Sequence, residues 1–137
     1  MKKVYPVIFT QSNHDVLVEV PDFDILTQGS DLANAIDMAR DAIGLKGIVL
    51  EDEKSIIPEP SDLKDINAKK FTFEENGPTF VSMVDVDFTE YRRRNETKSV
   101  RRNVTLPNWL NQEADRAKIN VSKVLQDALL LKLEELK

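Results

Sequence analysis

The sequence contains no cysteine and a single histidine. Without cysteine there is no disulfide, no thiolate nucleophile and no thiolate-bound metal, which fits a reducing compartment. His14 lies in the polar stretch Gln11-Ser12-Asn13-His14-Asp15, which reads as a turn. One turn histidine gives no basis for a histidine-rich metal site. Glycine is scarce, with 4 residues in 137, and they form no glycine-rich phosphate loop. No apolar run approaches the length of a membrane span. The opening Met1-Lys2-Lys3-Val4 is basic but lacks the long apolar run of a signal peptide. These absences lead to the expectation of a cytoplasmic protein with no membrane association, no metal and no cofactor.

What is present is enough for a core: 41% of residues are hydrophobic. The length allows one ordinary domain or two small ones, and two small ones would bury so little surface that one needs a partner chain. Charge is unevenly placed. Residues 1–90 carry 8 Lys and Arg against 18 Asp and Glu, a balance of −10. Residues 91–137 carry 11 against 6, a balance of +5. An acidic body and a basic end suggest two jobs, the second near phosphate.

Along the chain, residues 4–10 and 16–20 read as strands joined by a short turn, most simply a hairpin. Pro6 lacks an N–H, so the first strand is expected at an edge or bulged. A short extended piece at 25–28 ends at Gly29. Ser30 is expected to cap a helix from residue 30 to somewhere between 44 and 51, with Asp31 against its positive end. Leu32, Ala35, Ile36, Ala39, Ala42 and Ile43 form its apolar stripe, which Gly44 and Gly47 weaken. Ile57-Pro58-Glu59-Pro60-Ser61 is a stiff connection, and 62–67 a helical turn. Residues 80–88 are the clearest strand, with Asp85 and Asp87 on one solvent-facing side. The N-terminal domain, residues 1–90, is therefore α+β, an antiparallel sheet with a packed helix. Residues 91–99, dense in charge, are expected to be a linker whose Arg92, Arg93 and Arg94 lie near phosphate or are simply solvated.

The terminal stretch, residues 100–137, carries the strongest pattern. In residues 100–106, Arg101, Asn103 and Thr105 face one way while Val104 and Leu106 face the other. A lone strand must pair, and no other strand follows. Pairing with its own copy in a second chain makes a two-stranded antiparallel ribbon that fits the major groove. Arginine pairs there with guanine, asparagine with adenine, and threonine touches a thymine methyl. Pro107 suits the first position of a helix carrying Trp109, Leu110, Ala114 and Ala117. Asn120 caps a second helix with apolar Val121, Val124, Leu125, Ala128, Leu129, Leu133 and Leu136. Its first turn, with Ser122 and Lys123, is a phosphate site. Two helices this apolar require dimerisation. DNA-binding residues are thus expected at Arg101, Asn103, Thr105, Ser122 and Lys123.

Residues 99–136, through Arg101-x-Asn103-Val104-Thr105-Leu106-Pro107 and Asn120-x-Ser122, resemble the ribbon-helix-helix repressors. Arg102 departs from that pattern, standing where an apolar residue is common. The N-terminal part resembles the HicB antitoxin family. The matching residues are Tyr5-Pro6-Val7-Ile8-Phe9, Val18-Glu19-Val20-Pro21-Asp22, Thr27-Gln28-Gly29 before Ala33-Asn34-Ala35, and Ile57-Pro58-Glu59-Pro60-Ser61. The resemblance implies a degenerate, inactive RNase H-like sheet domain. It implies a partner toxin, HicA, a small basic messenger-RNA-cleaving ribonuclease of double-stranded-RNA-binding-like fold, which the family inhibits. It also implies repression of the family's own operon through operator DNA, by a homodimer or a higher oligomer.

The residues themselves leave three roles open. A nuclease needs converging carboxylates around divalent metals. The first strand has no acid, Asp15, Asp22 and Asp24 fall at strand ends or loops, and nothing is assigned opposite Asp85 and Asp87, so no catalytic residue is expected. An antitoxin would use its acidic domain to cover a basic toxin, charge speeding association more than setting affinity. A plain ribbon-helix-helix regulator would instead sense a ligand with that domain, although no ligand signature is visible.

Overall fold

The computed structural model describes residues 1–67, 70–96 and 99–136. The chain divides into two compact units, Met1–Lys98 and Ser99–Lys137.

The first unit is built on four strands, β1 (Lys2–Gln11), β2 (Val16–Val20), β3 (Ile25–Gly29) and β4 (Thr79–Asp87), in the order β3-β2-β1-β4. Every pairing is antiparallel, with Phe9 opposite Val18 on one side and Phe80 on the other. Alternation along each strand puts Tyr5, Val7, Phe9, Val16, Val18, Val20, Val84 and Val86 on one face, all buried. Helix α1 (Leu32–Asp52) packs there through Ala35, Ala39 and Ile43, which join the same core. Each large side chain so buried contributes about 1.5–3 kcal/mol. Asp31, not Ser30, is the cap: its carboxylate accepts from the Asn34 N–H at 2.8 Å. Asn34 reaches back to the Ser30 N–H at 2.9 Å, a reciprocal capping pair.

Pro6 departs from expectation, because β1 is an inner strand. The register gives the reason. The Gln11 N–H bonds the Pro78 carbonyl across to β4, so odd residues of β1 point to β4 and even ones toward β2. The β1–β2 pairing stops at Ile8. Pro6 therefore turns its missing donor to a side where no ladder runs, and the sheet loses nothing.

After α1, a short helix α2 (Leu63–Asn67) buries Ile66. Gly77, at φ 155°, brings the chain into β4 with backbone so close to the Gln11 carbonyl that no side chain fits there. A further helix then stands where a linker was expected: α3 (Phe88–Asn95). Asp87 caps it, accepting from the Glu90 N–H at 3.1 Å. Phe88 is 1% exposed and lies edge-on to Tyr5, with ring centroids 6.4 Å apart. Gly44 and Gly47, which spoil the apolar pattern of α1, are where it meets α3. A Cβ at Gly47 would lie 2.2 Å from Phe88 Cε1, and one at Gly44 2.6 Å from Tyr91 Cδ2. The two absent side chains are the space the two rings fill. Thr97 and Lys98 of the expected linker lie outside the described residues, as does Lys137.

The second unit holds α4 (Asn108–Arg116) and α5 (Val121–Glu135). Pro107 is the residue before α4 rather than its first, and its carbonyl accepts from the Asn111 N–H at 3.1 Å. Lys118, at φ 56°, makes the left-handed turn that ends α4. Asn120 caps α5, accepting from the Lys123 N–H at 3.1 Å. Residues 100–106 form no strand. A strand exists only through its ladder, and among the described residues of this unit no second strand is present.

Candidate functional site

In the first unit three of the carboxylates considered for catalysis, Asp22, Asp85 and Asp87, have structural partners. Asp22 accepts from the Ser61 hydroxyl and N–H, pinning the connection after α1. Asp85 and Asp87 share the sheet face away from α1, as the alternation requires. Arg40 reaches around the sheet edge from α1, its Nη2 3.0 Å from the Asp85 carboxylate and its Nε 2.9 Å from the Asp85 carbonyl. Lys2 lies 3.2 Å from the same carboxylate. The hydrogen bonds from Arg40, then Lys2, hold the Asp85 carboxyl below the usual carboxylate range. Asp87 is held down chiefly by the Glu90 N–H it caps. Burial pushes the Tyr5 hydroxyl up to about 12, helped by Glu59 and Asp22, and that hydroxyl donates to the Pro58 carbonyl at 2.8 Å. Among the described residues no group of three potential metal ligands converges.

The arginines of 92–94 belong to α3 and pair with acids. Arg92 bonds Asp52 at 3.0 Å and Glu96 at 2.8 Å, with Glu51 at 3.4 Å. Arg93 and Arg94 each lie 3.5 Å from Glu90. Divided at the structural boundary, the first unit carries 12 Lys and Arg against 19 Asp and Glu, or −7. The second carries 7 against 5, or +2. Much of the basic end read from sequence therefore lies in α3, opposite acidic partners.

The second unit has almost no interior. Among its described residues only Ala114 escapes the exposed class. Trp109 is 67% exposed and Leu129 53%. An apolar hollow is lined by Arg102, Val104 and Leu106 of the extended segment and by Val121, Val124 and Leu125 of α5. The even-numbered side chains of the segment thus share one side, as the alternation predicts, and Arg102 is with them. Arg101, Asn103 and Thr105 are exposed and do not line the hollow. Ser122, in the first turn of α5, also lines the hollow. Lys123 gives its N–H to the Asn120 cap and its ammonium lies 3.9 Å from Asp127. The cap leaves the N–H groups of Val121 and Ser122 for an anion. Sequence reasoning missed α3 because its eight residues carry one buried apolar side chain, Phe88. It also missed the open edge of β4, which only strand order reveals.

The chain is thus an α+β protein, a four-stranded antiparallel sheet under one helix, joined to a small helical unit whose apolar surface is uncovered in a single copy. The family model for the HicB-like antitoxin of bacterial toxin-antitoxin systems matches residues 5–130, and the chain belongs to that family. It is similar to a chain of a toxin-antitoxin complex from Streptococcus pneumoniae, with 26% identity, a TM-score of 0.58 and coverage of 96% of this chain and 99% of that one. It shares its fold with the antitoxin HicB of Burkholderia pseudomallei, at 22% identity, TM-score 0.51, and coverage of 98% and 99%. No curated protein matches it significantly. Among the described residues no helix is long and apolar enough to cross a membrane.

Proposed function

We propose that this chain neutralises a HicA-type ribonuclease toxin by binding it with the first unit, and represses its own operon with the second, acting in the cytoplasm and without catalysis. The observation that carries this reading is the second unit's uncovered apolar surface beside outward Arg101, Asn103 and Thr105. Two copies pairing along residues 100–106 complete the missing ladder, fill the hollow of each chain and present six polar side chains as one ribbon. A two-stranded ribbon fits the major groove, and the first turn of α5, with Ser122 and Lys123, meets the flanking phosphate. The first unit, at −7, attracts a basic toxin and repels DNA. The likeness to a chain of a toxin-antitoxin complex supports the partner.

Expression with the product of the neighbouring reading frame tests the reading. A stable complex in which that product's ribonuclease activity is silenced is expected. An active ribonuclease in the presence of excess full-length chain would refute the toxin assignment. Separately, Arg101→Ala is expected to weaken binding to the DNA upstream of the gene by about 1–3 kcal/mol per lost guanine contact, and to relax base preference. Toxin inhibition should be unchanged. A mobility-shift titration that superimposes on the wild type removes Arg101 from the interface.

A further inference from the structure

We propose that the open edge of β4 is a strand-addition site that receives an extended segment of the cationic toxin. The inference rests on the antitoxin reading above and names the surface that reading leaves undefined. Even-numbered residues of β4 bond to β1, as Phe88 N–H to the Met1 carbonyl and Gln11 N–H to the Pro78 carbonyl show at the two ends. The backbone groups of Thr79, Val81, Met83 and Asp85 therefore point outward. At Asp85 the edge is closed, because Arg40 occupies the outward carbonyl at 2.9 Å. From Thr79 to Met83 no strand pairs with it among the described residues. Such an edge is normally blocked or short. Here only its far end is blocked.

The side chains beside this window suit an apolar strand. Phe80, 44% exposed, stands on the α1 face and is held by stacking on Phe9 at 5.5 Å. Met83, 48% exposed, stands on the other. The opposite edge, β3, offers only Leu26 as a large exposed apolar residue. Main-chain bonds to an edge supply affinity, and flanking side chains supply choice of partner. Charge selects the occupant. The unit carries −7, and Glu74 and Glu75 lie just before the window, while Arg40 and Lys2 neutralise Asp85 beyond it. A second copy would set −7 against −7. A cationic partner gains on approach, with apolar residues over Phe80 and Met83 and a basic one near Glu74 and Glu75.

Val81→Pro in the full-length chain tests this. It removes an outward N–H and puts a ring in the window, while every bond from β4 to β1 remains. Affinity for the co-purifying ribonuclease is expected to fall at least about tenfold, the equivalent of losing little more than one net hydrogen bond. Binding to the upstream DNA should not change. In the wild-type complex, the Val81 and Met83 amides should exchange with solvent more slowly than in the free protein. That measurement decides the matter if the proline variant does not fold. Toxin affinity unchanged in a folded Val81→Pro variant, or exchange at both amides unaffected by the toxin, overturns the inference and leaves the antitoxin reading standing. A drop in the mass of the free protein on Val81→Pro overturns it in favour of a second copy. If the wild-type chain forms no complex with the ribonuclease, the antitoxin reading fails and takes this inference with it.

Discussion

Leu125→Glu is expected to convert the protein to monomers and to abolish retardation of the upstream DNA, with the sheet unit still folded. Leu125 is 37% exposed in a single chain and lines the hollow with Val104, Leu106, Val121 and Val124. In the proposed dimer each hollow is filled by the other copy, so the substitution takes two carboxylates out of water, with Arg102 on the wall of the hollow as the nearby cation. Desolvating a charge costs several kcal/mol, which pairing with Arg102 offsets only in part, and the two-fold arrangement imposes that cost twice. The other losses follow from it. A single copy has no ladder for residues 100–106, so Arg101, Asn103 and Thr105 have no fixed spacing, and half the phosphate contacts are gone. Affinity for the upstream DNA should fall more than a hundredfold, on the order of 3 kcal/mol or more. Sedimentation gives the mass, a mobility-shift titration gives the affinity, and circular dichroism verifies the sheet. Leu125→Met, which keeps volume and apolarity, should behave as the wild type. A Leu125→Glu protein that sediments as the wild type does would show that α5 faces solvent, and would remove the ribbon-helix-helix reading at its base.

How much of this was legible before the fold was known depended on how local each signal is. The strands and α1 were readable because period and propensity act within a few residues: Val16 to Val20 alternates, and Ala35, Ala39 and Ile43 recur at helical spacing. Asn120 was readable as a cap for the same reason, since its partner is Lys123, three residues on. Pro6 was misread as an edge marker because the sequence does not say where a neighbouring strand stops. Gly44 and Gly47 looked like breakers because their purpose, the rings of Phe88 and Tyr91, lies some forty residues away. The charge of residues 92–94 suggested a linker near phosphate, because the partners of Arg92, Glu51 and Asp52, lie on another helix, while Arg93 and Arg94 meet Glu90 only once α3 forms. The residues proposed to bind DNA had a different standing. Arg101, Asn103 and Thr105 were picked out by alternation, yet in the proposed dimer their arrangement would depend on a second chain that neither one sequence nor one copy contains.

The glycine pair gives the other large effect, and it runs against local propensity. Gly47→Ala should stabilise a bare helix by about 1 kcal/mol. In this protein it is expected instead to destabilise the first unit by about 1–2 kcal/mol net. The added Cβ would sit 2.2 Å from Phe88 Cε1 and 2.5 Å from Cδ1. Phe88 begins α3, is buried and lies against Tyr5, so its ring has no open side to move to. Overpacking costs about 1–3 kcal/mol, and so close an approach to a ring that cannot move belongs to the upper part of that range, above what the helix gains. Gly44→Ala meets Tyr91 at 2.6 Å, but Tyr91 is only half-buried, further along a short helix, and held by its hydroxyl to Asp41 at 2.8 Å. That ring can give, so the smaller loss is expected there. Urea unfolding should be followed by far-ultraviolet circular dichroism or tyrosine emission, because the one tryptophan, Trp109, belongs to the other unit and does not report on this core. Phe88→Leu costs packing on its own, but combined with Gly47→Ala it should cost less than the two added, since the smaller side chain vacates the space the methyl needs. Strict additivity, or a Gly47→Ala protein more stable than the wild type, would mean that α3 does not pack on α1 through these two positions.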